Sequence, residues 1–147
     1  MKKLILQCLK KDKAVPGENE YGYFPLNKPK KEMADLYIVY EVLYGLLDQS
    51  EWAEIDIFAN DFKGFSSDCV SLDKSNDRFY MSYAFESLPR SQDLSFSILE
   101  LQSLLNVWRR LIVRQPNYII FLQLESGQFF LEGKESLSED ELRFVHE

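Results

Sequence analysis

Apolar positions along the chain change period several times, and each change marks a new element. Residues 3–9 (KLILQCL) are a short apolar run that predicts a buried first strand. Residues 12–29 then mix Pro16, Gly17, Asn19, Gly22, Pro25 and Pro29 with charged side chains, which predicts a long loop pinned by Tyr21, Tyr23 and Phe24. From residue 30 the period becomes helical: Met33, Leu36, Tyr37, Tyr40, Leu43, Tyr44 and Leu47 fall on one face. Ile38, Val39, Val42 and Leu46 make the other side apolar as well. This helix is therefore expected either to be sandwiched or to offer an apolar strip to a partner.

Residues 51–59 alternate, with Ala53, Ile55, Ile57 and Ala59 on one face and Trp52, Glu54, Asp56 and Phe58 on the other, as in a half-exposed strand. Asn60-Asp61 and Lys63-Gly64 supply turn chemistry after it. A short strand over 68–72, a polar hairpin loop over 73–77 (DKSND) and a strand over 78–86 complete an antiparallel meander. In the last of these, Phe79, Met81, Tyr83 and Phe85 point inward.

Ser97 and Glu100 then stand as S-x-x-E, a capping box in which each side chain takes up a backbone N–H of the other residue. Phe96 and Leu101 occupy the staple positions. Leu101, Leu104, Leu105, Trp108, Leu111 and Ile112 continue one apolar face, Arg109, Arg110 and Arg114 complement the helix dipole, and Pro116 ends the helix. Strands over 118–124 and 128–131 flank Gly127, whose freedom at positive φ suits a tight hairpin. The tail over 132–147 is acidic, with Leu142, Phe144 and Val145 in a last helical turn. The order β-α-β-β-β-α-β-β predicts an α+β fold, a mainly antiparallel sheet with two principal helices.

At 147 residues the chain fits a single domain, carrying a basic, loop-rich segment at 10–31 and an acidic tail. Its net charge of −7 is uneven: residues 1–31 carry +5 and residues 32–147 carry −12. A field of that sign repels nucleic acid and anionic membranes and attracts basic protein surfaces. Acids also serve plain solubility. Cys8 and Cys69 sit in apolar contexts, form no ligand pattern and are expected to be buried, unpaired thiols. The N-terminus fits neither a signal peptide nor a membrane span, so a cytoplasmic location is expected.

Catalytic chemistry finds little to work with. His146, the one histidine, is penultimate, and no phosphate-binding, nucleophile or zinc motif occurs. Neither cofactor nor metal is expected. Glu54 and Asp56 share a strand face and leave open a carboxylate-dependent hydrolase. The expectation is instead a non-enzymatic binding protein. Its candidate surface comprises Glu54 and Asp56, the turn acids Asp61, Asp73 and Asp77, and Trp52 and Phe58 as aromatic anchors. In the meander these acids would converge on one side of the sheet; alternatively Trp52 and Phe58 are covered and the acids merely solvated.

The stretch over residues 52–131, carried by EWAEIDIFAND, RFYMSYAF, SILELQSLLNVWRRLIVRQP and NYIIFLQLESGQFFLEGK, which overrun it by a few residues at either end, resembles the immunity proteins of bacterial polymorphic toxins and contact-dependent growth-inhibition systems. There an acidic strand leads into a helix ending W…P and then a hairpin. The resemblance implies a small cytoplasmic protein that binds one cognate toxin domain, often a nuclease, and blocks its active site. Charge agrees: a nuclease is basic around its substrate site, and an acidic binder fits it without direct contact to nucleic acid. The resemblance carries no residue's role across, and residues 10–31 have no counterpart in it. A phage-type acidic inhibitor of a host defence complex would use the same electrostatics.

Overall fold

A computed structural model of the chain describes residues 2–10, 21–28, 30–48, 56–66, 69–83 and 94–146. The fold is α+β. Its elements are β1 (Lys2–Lys10), β2 (Tyr21–Pro25), α1 (Ala34–Asp48, entered through a 3-10 turn at Lys31–Met33), β3 (Gly64–Ser66), β4 (Val70–Ser75), β5 (Arg78–Tyr83), β6 (Ser95–Ser97), α2 (Ile98–Arg114), β7 (Tyr118–Gln123), β8 (Phe129–Lys134) and α3 (Glu139–His146). In place of one main sheet there are two four-stranded antiparallel sheets, ordered β2-β1-β7-β8 and β3-β4-β5-β6. The chain divides into two compact units, Met1–Tyr37 with Asn106–Glu147, and Ile38–Leu105; the division falls within α1 and within α2.

In the first unit β1 and β7 are central. Leu4, Ile5 and Leu6 are buried in succession, as are Ile119, Ile120 and Phe121, so both faces of the sheet are covered. The pairs Leu4↔Phe121 and Leu6↔Ile119 share the face that meets the end of α2, where Trp108 sets its ring edge-on to Phe121 at 5.5 Å. On the other face, with Ile5 and Ile120, lies α3: Phe144 sits beneath the ammonium of Lys3, 5.8 Å from the ring centre.

Residues 21–25, expected as loop, form edge strand β2. Pro25 is tolerated there because an edge strand can spare a donor. Tyr23 does pin the segment: its ring meets Trp108 at 6.3 Å and its hydroxyl donates to the Pro116 carbonyl at 2.6 Å. Burial first, and Cys8 beside it, push the Tyr23 phenol well above its ordinary range. α2 ends as Gln115 turns to φ 53°, its N–H bonding the Leu111 carbonyl, just before Pro116.

In the second unit the meander is amphipathic. Val70 and Leu72 pair across to Tyr83 and Met81, and Phe79 pairs with Phe96, giving a core face on which Phe79, Met81, Leu72 and Val70 are all buried. The opposite face carries Ser66, Ser71, Asp73, Tyr80, Ser82 and Ser95. The hairpin between β4 and β5 is tighter than the expected five-residue loop. Only Asn76 and Asp77 turn, both at positive φ (52° and 59°), the geometry a two-residue hairpin needs to follow the strand twist. α2 begins with the expected box: the Ser97 N–H donates to Glu100 Oε1 at 3.0 Å, and the Glu100 N–H donates to Ser97 Oγ at 3.1 Å. Along α1, which spans the division, Leu36, Val39, Val42 and Leu43 are fully buried and Ile38 and Tyr40 nearly so, so these apolar side chains do not form an exposed strip.

Candidate partner-binding surface

The segment expected as the end of an alternating strand is a double turn. The Ala59 N–H bonds the Asp56 carbonyl at 3.2 Å, and the Phe62 N–H bonds the Ala59 carbonyl at 3.1 Å. The cause lies in Asp56, whose Oδ1 accepts the Phe58 N–H at 3.0 Å and offers the backbone a local alternative to a ladder. Trp52 and Glu54 lie outside the described residues.

The double turn is held against the core face of the sheet by aromatic contacts. Phe58 packs edge-on to Phe79 at 5.6 Å and Phe62 lies tilted to it at 6.3 Å. Phe58 is half-buried in this way and is spoken for within its own unit. Lys74 reinforces the arrangement: it points to the core face, its ammonium 5.9 Å from the Phe79 ring centre and 3.5 Å from the Ala59 carbonyl.

Asp56 and Asp61 are both exposed on this double turn, which lies over the core face of the sheet. Asp77 is exposed at the hairpin tip. Asp73 is not with them. It belongs to β4 and projects from the opposite, polar face, across from Tyr80 and beside Gly64, where an added Cβ would come within 2.5 Å of its carboxylate oxygen. Among the described acids, Asp73 therefore does not converge with Asp56 and Asp61, because strand alternation puts it on the opposite face.

Negative charge, by contrast, follows the division of the fold. Residues 38–105 hold twelve acidic against four basic side chains, a net charge of −8; the other unit sums to +1. Glu41 on α1 is part of the first set. It is half-buried, and burial pushes its carboxyl above the usual 4.5.

The other chemistry-bearing residues are scattered. Cys69 is exposed and Cys8 half-buried, so the expectation of two buried thiols fails; Cys69 lies just before β4, outside its ladder, where strand alternation does not force it inward. His146 is exposed at the end of α3. Among the described residues no three His, Cys, Asp or Glu side chains are grouped to hold a metal ion, and no helix is long and apolar enough to cross a membrane.

The acidic tail carries a second S-x-x-E, Ser138 to Glu141, beside the one at Ser97 and Glu100. The Ser138 N–H donates to Glu141 Oε1 at 2.8 Å and the Glu141 N–H donates to Ser138 Oγ at 3.2 Å, so this pair opens α3 as Ser97 and Glu100 open α2. No family model, curated protein or solved structure matches this chain.

Proposed function

We propose that the protein is a non-enzymatic acidic binder that covers a basic site on a partner protein, in the manner of the immunity proteins it resembles. The observation that carries this reading is the segregation of charge: residues 38–105 alone hold more net negative charge, −8, than the whole chain, −7. A concentrated field of that kind accelerates encounter with a basic surface and rejects competing polyanions. The cognate partner is a toxin domain, a basic nuclease whose substrate groove the carboxylates of Asp56, Asp61 and Asp77 fill in place of phosphates. The resemblance supports this choice, as does the exposure of those three side chains.

The test is co-expression with the product of the adjoining gene. A stable one-to-one complex that suppresses nuclease activity supports the reading. Two separately purified proteins with full nuclease activity in the mixture contradict it.

A further inference from the structure

The unit that lacks the acidic field contains a pocket of its own. It has a volume of about 210 Å³ and lies where the start of β1, the segment after β2 and the 3-10 turn meet the last turn of α3. Its polar rim consists of Lys2, Lys28 and Lys30 with Glu32, a net charge of +2; Met33 and Phe144 make the apolar part. Among the described residues no ion pair takes up Lys2, Lys28 or Lys30.

The frame beneath these lysines is fixed by hydrogen bonds. Asn27 Oδ1 accepts the Ile5 N–H at 2.7 Å and Asn27 Nδ2 donates to the Lys3 carbonyl at 3.4 Å, so this side chain extends the ladder of β1. Tyr37 donates to the Asn27 carbonyl at 2.8 Å, and the Met33 N–H bonds the Lys30 carbonyl at 2.9 Å. Lys3, lying over the Phe144 ring, holds that ring in place.

We propose that this pocket binds a small phosphate monoester, with the phosphate among Lys2, Lys28 and Lys30 and an apolar or aromatic group against Phe144 and Met33. Charge, size and donor type all favour that class. A rim of +2 balances a phosphate dianion, whereas a single carboxylate would leave a cation unpaired. The volume is below the range of about 300–1,000 Å³ usual for drug-sized ligands, which suits a simple ester and not a nucleotide. Lysines act as movable point charges on phosphate and, unlike arginine, impose no planar bidentate geometry. The site is built from residues of its own unit alone, and its existence does not depend on how the acids of residues 38–105 are used.

The test is a backbone-amide NMR titration of the full chain with phenyl phosphate, inorganic phosphate and benzoate. Phenyl phosphate should give saturable shifts at Lys28, Glu32, Met33 and Phe144. Inorganic phosphate should bind more weakly for lack of the ring, and benzoate more weakly still. A Lys28→Ala, Lys30→Ala variant, altered at two exposed side chains, should keep the rest of its spectrum and lose about tenfold or more in affinity. Vesicles of phosphatidylcholine containing phosphatidic acid tell the sources apart. Co-sedimentation that phenyl phosphate competes away assigns a lipid phosphate, and binding of the free ester without co-sedimentation assigns a soluble ligand. Shifts that do not saturate, or that persist unchanged in the double variant, overturn the proposal.

Discussion

Lys134, the last residue of β8, donates to both carboxylate oxygens of Glu141 at 2.9 Å, tying the first turn of α3 to the edge of its sheet. Glu141 is 1% exposed and also caps its own helix through Ser138, whereas the Lys134 side chain is about one-third exposed. Burial alone would raise the Glu141 carboxyl, but the Ser138 N–H, the Lys134 ammonium and the Ser138 hydroxyl outweigh it and hold the group below 4.5. The hydrogen bond to Glu141 in turn raises Lys134 above 10.5.

Glu141→Gln should therefore cost about 1–2 kcal/mol near neutral pH, discounted for the partly solvated lysine. A carboxylate whose pKa is lowered by folding contributes stability above its unfolded value, and that contribution is lost as pH falls through the folded one. The gap between wild type and variant in urea unfolding should hold above pH 4.5 and close below it. A gap that widens on acidification would show that Glu141 is not held as a carboxylate.

The two capping boxes offer a matched pair. Ser97→Ala and Ser138→Ala should each cost about 1 kcal/mol. Because Glu141 is buried while Glu100 is exposed, the Ser138 variant should be the more damaging of the two. Equal or reversed losses in thermal unfolding would mean that burial of Glu141 adds nothing to its cap.

Trp108 is 1% exposed and joins Tyr23 and Phe121, so Trp108→Ala should cost about 3–5 kcal/mol through the cavity it leaves. Its indole Nε1 has no hydrogen-bond partner among the described residues. Trp108→Phe, which discards that buried donor while keeping an aromatic ring, should cost much less than the alanine variant. Similar midpoints for the two in denaturant would mean that the ring is not what fills the core.

Glu41 gives the opposite sign to Glu141. Burial raises its carboxyl above 4.5, so the ionised form opposes folding at neutral pH and protonation relieves it. Glu41→Gln should stabilise the protein at pH 7, and the gain should disappear as pH falls toward 4.5. Calorimetry of the pair at several pH values checks this; a variant less stable at pH 7 would assign Glu41 a favourable contact instead.

Much of this architecture was legible where a pattern was local. The period of 33–47, the box at Ser97 and Glu100 and the positive φ of Gly127 each report on neighbours within a few residues. What failed to show was non-local or locally contested. β2 carries Gly22 and Pro25, both poor strand residues, and exists because Tyr23 reaches Cys8 and Trp108 far along the chain. Asp73 and Lys74 read as turn residues, yet they belong to β4 because Lys74 lies against Phe79 with its charge turned to the Ala59 carbonyl. Alternation through residue 59 pointed to a strand, but the Asp56 carboxylate captures the Phe58 N–H and bends the chain. The candidate surface was half legible for the same reason: the acids could be named, but their sides of the sheet depended on register.

The most direct test of the acidic-binder account is the ionic-strength dependence of association between this protein and the partner domain co-purified with it. The wild type should associate fast at low salt, with a rate that falls steeply, by about tenfold or more, as salt screens the field of residues 38–105. An Asp56→Lys, Asp61→Lys, Asp77→Lys variant should fold normally, start slower and show a flatter salt dependence. Rates and slopes identical in the two proteins would contradict the account and remove these carboxylates from the interface.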